Sequence, residues 1–232
     1  MIRLGIISDT HYPTRLPTLP FAAIEDAFRH VDAILHAGDI ETPEVLNHLS
    51  GIAPVQAVKG DDDAFDLPLS RVIELGGVRI GLAHGHYSNP IKEEMYRLRR
   101  RLGYSRHREL TERIDNMLHH FRNDELDVLI FGHSHRPMVS QRNGILLFNP
   151  GAVYAMSLES AKWQLPREKH PLRRRMLQHH IRRYQNLPDM LHVHSTVGIL
   201  EINSRQHIQP CIIELPLIDH ALQNDPAAVM WG

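Results

Sequence analysis

The feature that most constrains the fold of this chain is a series of short apolar runs, each of which stops at an acidic or histidine residue. The run Ile2–Ile7 stops just before Asp9, and the run Ala33–His36 leads into Asp39. Runs of this length are typical of strands that are buried on both faces. Helical patterns lie between them, so the first part of the chain predicts βαβ units and a parallel sheet.

Two predicted helices separate the first three strands. Phe21, Ile24 and Phe28 recur at helical spacing. Thr42 followed by Pro43 is a typical helix start, because a capping residue precedes a proline at the first helical position.

Strands dominate after about residue 70. Val72–Leu75 and Val78–Ala83 flank Gly76 and Gly77, which predicts a β-hairpin. The other predicted strands are Val55–Val58, Val128–Phe131, Ile145–Phe148, Val197–Ile202 and Ile208–Leu215. The predicted fold class is α/β, with two sheets packed together and helices outside them.

Two helical insertions interrupt this pattern. At about residues 88–125, two apolar stripes on either side of Gly103 predict an antiparallel helical hairpin. The stripes are Ile91, Met95, Leu98 and Leu102, then Leu110, Ile114, Met117 and Phe121. At about residues 158–192, a basic amphipathic helix is predicted between Pro171 and Pro188. Its predicted apolar side consists of Leu172, Met176, Ile181, Tyr184 and Leu187.

Composition limits the class of protein. With 232 residues, 42% of them apolar, the chain can bury one sizeable core, and we expect a single domain over residues 1–232. The net charge is −1, but Ser160–Asn186 carries eight Lys or Arg against one acidic residue. The apolar runs are shorter than the roughly 18 residues of a membrane span, and the single cysteine, Cys211, cannot form an internal disulfide. We therefore expect a cytoplasmic protein with no membrane partner.

Five clusters of candidate metal ligands follow predicted strands. They are Asp9 with His11, Asp39, Asp61 with Asp62 and Asp63, His84 with His86, and His133 with His135. Each cluster alone is more typical of a turn, but the carboxyl ends of strands are where α/β sheets collect their ligand sites. Mixed carboxylate and imidazole ligands suit Mn, Fe, Co or Zn. The order and placement of all five clusters therefore predict a centre of two divalent cations.

The motifs at these positions resemble those of a known family. The sequences DTH, HAGD, KGDDD, HGH, GHSH and NPGA resemble the calcineurin-like metallophosphoesterase superfamily, and most closely its small bacterial and archaeal phosphodiesterase branch. The resemblance covers about residues 1–155 and the last two strands. It implies a four-layer α/β/β/α sandwich of two mixed sheets flanked by helices, with the metals at the sheet edge.

The resemblance also implies a role for each ligand. Asp9, His11 and His135 match the ligands of a first metal, Asp39 matches a bridging carboxylate, His84 and His133 match ligands of a second metal, and Asp61 takes the remaining position of that metal. The expected ions are two divalent cations, manganese first, with Fe, Zn, Co or Ni as alternatives.

Two positions depart from the family pattern. Asp61 stands where the family usually has Asn, and an ionised Asp only accepts hydrogen bonds. Three carboxylates and a bridging hydroxide would balance two divalent cations, which favours a phosphodiester over a dianionic monoester. Asp62 stands where many relatives carry a His suited to act as general acid, and nearby cations should lower the pKa of Asp62. Asp62 could instead have a structural role in the turn. His86 could be the general acid, or it could orient a metal ligand.

We expect structural roles for several other polar residues near the candidate ligands. We expect Asp63 to cap its loop, the buried His36 to orient a ligand, and Asn149, Pro150 and Gly151 to form a turn that shapes the pocket wall.

The predicted function is metal-dependent hydrolysis of phosphate esters, with phosphodiesters favoured, by attack of a metal-bridging hydroxide. Asp39 is the ligand that both metals would share. One alternative is a nucleotide or nucleic-acid phosphodiesterase that uses the basic helix. Another is a non-catalytic metal-binding interaction scaffold on the same fold. The expected partners are a small phosphate ester or a nucleotide, with nucleic acid less favoured, and a second copy of the chain through the helical insertions.

Overall fold

Two mixed five-stranded sheets form the centre of the structure. A computed structural model describes residues 1–16, 18–86, 105–154, 158–185 and 194–216, together with Met95. The first sheet contains β1 (Ile2–Ile7), β2 (Ala33–His36), β3 (Val55–Ala57), β9 (Thr196–Ile202) and β10 (Ile208–Glu214), in the order β10-β9-β1-β2-β3. The second contains β4 (Ser70–Leu75), β5 (Val78–Ala83), β6 (Val128–Ile130), β7 (Met138–Arg142) and β8 (Ile145–Asn149), in the order β4-β5-β6-β8-β7.

Three neighbouring strands of each sheet are parallel. In the first sheet β1, β2 and β3 run in the same direction, β9 pairs antiparallel with β1, and β10 pairs antiparallel with β9. In the second sheet β5, β6 and β8 are parallel, and β4 and β7 are the antiparallel edges. Each sheet therefore gathers three strand ends, and the loops that follow them, at one edge.

Three apolar layers hold the sheets and helices together. The layer between the sheets includes Leu4, Ile6, Leu82 and Ile130, all with no exposed surface. On the outer side of the first sheet the cluster includes residues of α1 (Phe21–Ala27) and α2 (Pro43–Ser50), and on the outer side of the second it includes α3 (Arg106–His120). Each fully buried Leu or Ile contributes about 1.5–3 kcal/mol relative to exposure. The four-layer α/β/β/α architecture is confirmed.

Local sequence signals account for several boundaries. The Thr42 side chain accepts a hydrogen bond from the amide of Glu44 at the start of α2, as the Thr-Pro pair predicts. Gly76 and Gly77 both have positive φ (60° and 77°), the backbone that a two-residue hairpin turn between β4 and β5 requires.

One strand was missed. The strand β7, Met138–Arg142, pairs antiparallel with β8 at the edge of the second sheet, and three of its five residues are exposed. Its sequence, MVSQR, lacks the apolar run used to predict strands, because an edge strand buries little side-chain surface.

The helical hairpin insertion can be checked only in its second half. Apart from Met95, the predicted first helix falls on residues outside the described ranges. The second is α3, in which Ile114 and Met117 are buried together with Phe121, just beyond the helix, as the apolar stripe predicts.

The basic insertion contains two helices, α4 (Leu158–Gln164) and α5 (Pro171–Tyr184). The helix α5 starts at Pro171 as predicted, but its predicted apolar face is wrong. Leu172 and Met176 are 62% and 70% exposed, whereas Leu177 is 5% exposed. The helix α5 packs against α4, which turns Leu177 and the half-buried Ile181 inward, at i and i+4, and leaves Leu172 and Met176 outside.

The helices of the described ranges include none with the length and apolar character needed to cross a membrane.

The orientation of α5 predicts different effects of truncation at neighbouring positions. Leu177→Ala should lower the free energy of unfolding by about 2–4 kcal/mol, because it leaves a cavity where α5 meets its neighbours. Met176→Ala, the matched control one residue away, should change it by less than about 0.5 kcal/mol. Urea denaturation of both variants checks this, and equal effects would contradict the orientation.

Candidate metal centre

All seven predicted ligands meet at the shared edge where parallel strands of both sheets end. Asp9 and His11 follow β1, Asp39 follows β2, Asp61 follows β3, His84 follows β5, and His133 and His135 follow β6. Their side chains form two groups of ligand atoms, and within each group the atoms lie within 4.8 Å of one another. One group is Asp9, His11, Asp39 and His135, and the other is Asp61, His84 and His133.

In the first group, four ligand atoms converge on one point. The Nε2 atoms of His11 and His135 are 3.2 Å apart, Asp9 Oδ1 is 3.1 Å from His135 Nε2, and Asp39 Oδ2 is 3.3 Å from His11 Nε2. Metal–nitrogen bonds of about 2.0–2.1 Å place neighbouring ligand atoms about 3.0–3.4 Å apart. The spacing in this group fits one divalent cation.

The second group has the same spacing. Asp61 Oδ1 lies 3.1 Å from His84 Nε2 and 3.0 Å from His133 Nδ1, and the two nitrogens are 3.3 Å apart. Asp39 Oδ2 is also 3.3 Å from His84 Nε2, the same distance as from His11 Nε2 in the first group. One carboxylate oxygen of Asp39 therefore lies between the two groups, where a bridging ligand would be.

Hydrogen bonds to the protein leave the metal-facing atoms available. Asp9 Oδ2 accepts from the Ser8 hydroxyl (2.6 Å) and from the amide of His133 (3.1 Å). Asp9 Oδ1 is buried, and the ring nitrogen of His135, 3.1 Å away, is the polar atom that faces it in the described structure. His84 Nδ1 donates to the carbonyl of Ala37 at 2.7 Å, so Nε2 is the nitrogen that faces the other ligand atoms. A buried carboxylate oxygen among converging ring nitrogens fits a cation.

The charges within the two ligand groups also fit bound cations. Burial disfavours the charged form of His84, but Asp39 and Asp61 outweigh it and raise the pKa of this imidazole well above its ordinary value. Burial also works to raise the pKa of Asp61, yet hydrogen bonds from His133 and His84 hold it below the ordinary value. Protons on imidazoles thus offset ionised carboxylates in the protein alone. Divalent cations would displace those protons.

The backbone that presents the ligands is strained. Five of the seven ligand residues have φ between 45° and 63°, a region that residues other than glycine rarely adopt: Asp9, His11, Asp39, His133 and His135. Such conformations cost on the order of 1–3 kcal/mol each and persist only where the surroundings enforce them.

Asp63 supplies much of that enforcement. Its Oδ1 accepts from the amides of Ile40 and Glu41, both at 2.7 Å, and its Oδ2 accepts from those of Gly60 (2.7 Å) and Asp39 (3.1 Å). The predicted capping role of Asp63 is confirmed, and it joins the loop after β2 to the loop after β3.

Close approach of the loops requires glycine at two positions. A Cβ on Gly60 would lie 2.1 Å from Asp39 Oδ1, and one on Gly132 would lie 1.9 Å from the hydroxyl of Ser8. Both glycines allow two ligand loops to touch.

Asn149 and His36 support the loops that carry the candidate ligands. Asn149 is fully buried, donates to the carbonyl of Gly132 (2.8 Å) and accepts from the amide of Gly151 (2.8 Å), so it forms the expected turn and anchors the His133 loop. His36 Nδ1 accepts from the amide of Gly38 at 3.2 Å, and its ring lies 3.4 Å from the hydroxyl of Thr10. His36 thus acts on the backbone beside Asp39 rather than on a ligand side chain.

The two candidate general acids lie at the edge of the centre. The Asp62 carboxylate pairs with Arg15 and lies 3.4 Å from His11 Nδ1. Burial raises the pKa of Asp62 and Arg15 opposes it, so protein groups alone do not produce the expected fall. Burial, with the charge of His84, lowers the pKa of His86 to about 4. A neutral His86 is a proton acceptor rather than a donor, and the identity of the general acid stays a prediction.

Sequence reasoning missed Glu41. Its Oε1 accepts from His11 Nδ1 at 2.8 Å, which orients the ring so that Nε2 faces the first group. His11, Glu41 and Asp62 also lie close enough to suggest a third cation site, but His11 Nδ1 is engaged as a donor there. The one available signal was the position of Glu41, two residues after Asp39 in a loop already assigned to the centre.

The fold and this centre define a class of metal-binding α/β sandwich proteins, and comparison with known proteins identifies the family. Residues 2–163 match the calcineurin-like phosphoesterase superfamily domain. The chain belongs to that superfamily.

Related sequences agree. A probable metallophosphoesterase of Methanothermobacter thermautotrophicus is 36% identical over 153 residues, which is 64% of this chain and 76% of the relative. A probable metallophosphoesterase of Methanocaldococcus jannaschii is 37% identical over 149 residues, 64% of this chain and 67% of the relative.

Solved structures share the fold at low identity. Wild-type Vps29 of Entamoeba histolytica complexed with Zn²⁺ has a TM-score of 0.55 and 21% identity, and the match covers 92% of this chain and 99% of that one. A novel archaeal phosphodiesterase has a TM-score of 0.51 and 16% identity, covering 91% of this chain and 100% of that one. Both are similar to this chain in fold, at lower sequence identity than the two relatives above.

The contact between Glu41 and His11 predicts weaker metal binding when the carboxylate is lost. Glu41→Gln keeps the shape but removes the charge that makes His11 a stronger ligand, and metal affinity should fall by about 10-fold or more. The matched control is Glu44→Gln, three residues away on the exposed first turn of α2. Titration of metal-free protein with Mn²⁺ or Zn²⁺ by calorimetry measures both. An unchanged affinity in Glu41→Gln would contradict the role given to Glu41.

Proposed function

We propose that this protein hydrolyses phosphate esters, with phosphodiesters favoured, at a centre of two divalent cations held by the seven ligands above. Manganese is the first candidate, with Fe, Zn, Co or Ni as alternatives. The observation that carries the proposal is the position of Asp39 Oδ2, 3.3 Å from a ring nitrogen in each of the two ligand groups. A shared carboxylate between two complete ligand groups is the arrangement that two-metal hydrolysis requires.

The cations, when bound, would lower the pKa of a shared water to near 7 and neutralise charge that develops on the phosphate. The chain's own contribution is to hold the ligands without a reactive side chain among them. The Ser8 hydroxyl, for instance, is committed to Asp9 at 2.6 Å. Water rather than a side chain is therefore the proposed nucleophile, and a single displacement should invert configuration at phosphorus.

Charge supports a diester substrate. Asp9, Asp39 and Asp61, with a bound hydroxide, would already balance two divalent cations. The carboxylates of Glu41 and Asp62 lie beside His11 and add further negative charge at the rim. A monoanionic diester is repelled less by this surplus than a dianionic monoester is. The archaeal phosphodiesterase that shares the fold gives further support.

Loss of the shared carboxylate should abolish turnover. Asp39→Ala removes the ligand common to both groups, so we expect fewer than two tightly bound ions per chain and activity at the background level. The assay compares monoesters, diesters, nucleotides and oligonucleotides on protein reconstituted with Mn, Fe, Co, Ni, Zn or Mg. Asp66→Asn, an exposed acidic residue outside the centre, is the control. Full turnover by Asp39→Ala, or after removal of metal by a chelator, would refute the proposal.

The same panel tests the charge argument. Asp61→Asn removes one negative charge while keeping an oxygen ligand, so both ions should remain and turnover of simple monoesters should rise relative to diesters. Unchanged or lower monoester turnover in a variant that retains both ions would contradict the role of Asp61 in substrate choice.

A second candidate is a nucleotide or nucleic-acid phosphodiesterase, and the surface of α5 favours it. Arg173, Arg175 and Arg183 are exposed and have no acidic partner among the described residues. Gln164, at the end of α4, donates to the Tyr154 hydroxyl (2.9 Å) and to the carbonyl of Arg15 (3.3 Å), so this end of α4 lies beside the centre. Exposed cationic side chains on a helix that packs against α4 suit a polyanion.

Substitution of Arg173, Arg175 and Arg183 by Gln tests this second candidate. If the substrate is a polynucleotide, the triple variant should bind single-stranded oligonucleotide more weakly and with a shallower salt dependence, while turnover of a small diester is unchanged. Oligonucleotide binding equal to that of the wild type would remove the candidate.

Three expectations remain proposals. Cytoplasmic location and association of two copies through the helical insertions are carried forward from the sequence, as is the single domain. The scaffold alternative is disfavoured because the ligand set is complete, and two tightly held ions after purification would count against it further.

A further inference from the structure

The atoms of the ligand groups that converge on the centre offer no hydrogen-bond donor to a substrate phosphate. The carboxylates only accept hydrogen bonds, and the converging ring nitrogens would be occupied by the cations. Asp61 adds to this lack because an amide at the same position could donate. A substrate whose phosphate lies against this centre therefore needs a donor from outside the two groups.

Arg15 lies where such a donor is needed. Its guanidinium pairs with Asp62, which in turn lies 3.4 Å from His11 Nδ1. Its Cζ atom is 5.6 Å from the centre of the Tyr154 ring. The His11 and His135 rings pack edge-on against that same Tyr154 ring, at 5.5 and 5.7 Å. The guanidinium and two ligands of the first group therefore share one aromatic wall.

The backbone of Arg15 is held from both sides. Its amide donates to the carbonyl of His11 at 2.9 Å, and its carbonyl accepts from Gln164 at 3.3 Å. The side chain is 35% exposed, so it reaches solvent from a fixed base. Only one guanidinium nitrogen, Nη2, is engaged by a hydrogen-bond acceptor in the described structure. The planar fork keeps further N–H groups for an anion.

We propose that Arg15 binds a non-bridging phosphate oxygen of the substrate, so that the phosphate is held between the cations and this guanidinium. Asp62 holds the guanidinium at the rim and Tyr154 supports it from below. Arg15 also offsets the surplus negative charge of Glu41 and Asp62 next to the centre. The inference rests on the proposed function for its substrate class, a phosphate ester, and adds the residue that recognises the phosphate.

Phosphate affinity tests this inference apart from turnover. The probe is inorganic phosphate, titrated by calorimetry into metal-loaded protein, with metal content measured on the same samples. Arg15→Gln should bind phosphate about 10- to 100-fold more weakly, the range for a hydrogen bond to a charged group, while both ions are retained. Arg15→Lys keeps the charge but not the fork and should recover part of the affinity. For a small diester, the loss should be seen mainly in KM.

Arg29→Gln is the matched control. Arg29 is also an exposed arginine paired with an aspartate, Asp26, but it lies between α1 and the start of β2, at the opposite edge of the sheet. Phosphate affinity should be unchanged in this variant. If Arg15→Gln loses metal, Arg15→Lys becomes the deciding variant, and weaker phosphate binding at full metal content supports the inference.

Three results would overturn the role of Arg15. They are an unchanged phosphate affinity in the deciding variant at full metal content, an equal loss in Arg29→Gln, or no phosphate binding by the wild-type protein. Turnover by the wild type together with an unchanged affinity rejects Arg15 and leaves the proposed function. Phosphate binding that depends on Arg15 without turnover of any ester rejects the proposed function and leaves Arg15 as an anion site.

Discussion

The carboxylate of Asp63 is the interaction on which the geometry of the centre depends. It accepts hydrogen bonds from four backbone amides in two loops, those of Asp39, Ile40, Glu41 and Gly60. Without it, four donors at a buried turn would need other partners, at a cost of roughly 1–3 kcal/mol for each one left unsatisfied. Because these amides include that of Asp39, whose φ is 57°, Asp63 also holds the strained residue that stands between the two ligand groups.

The centre also joins the two sheets. His84 of the second sheet donates to the carbonyl of Ala37 after β2, and the amide of His133 donates to Asp9 after β1. These bonds cross between the sheets at the edge where the apolar layer ends. The second group of ligands is thereby fixed relative to the first by the protein itself, so cations would enter a site whose spacing is largely set in advance.

Much of this could be predicted from the sequence, because the metal ligands stand at the ends of apolar runs and depend only on strand direction. The α/β class and the meeting of the candidate ligands at one sheet edge followed from that order, whereas their division between two metals was implied by the family resemblance. The contacts between the ligands and the residues around them could not be predicted in this way. Glu41 reaches His11 and Arg15 reaches Asp62 only because loops after different strands are folded over one another, and residue spacing carries no such information. The prediction of the inward face of α5 was wrong for a related reason. This helix packs against α4, and an amphipathic pattern does not indicate which surface a helix packs against.

The charges of Asp61, Asp62 and Arg15 are related to one another. A centre with Asp61 carries more negative charge than one with a neutral ligand, and Glu41 and Asp62 increase it beside His11. Such a site would hold cations firmly but repel the anionic substrate proposed for it. A guanidinium at the rim resolves this conflict without weakening the metal ligands, because it neutralises the outer carboxylate and still presents donors to an oxyanion. In the proposed function, Asp61, Asp62 and Arg15 therefore act together on the charge of the centre, with cation binding and anion recognition assigned to different side chains.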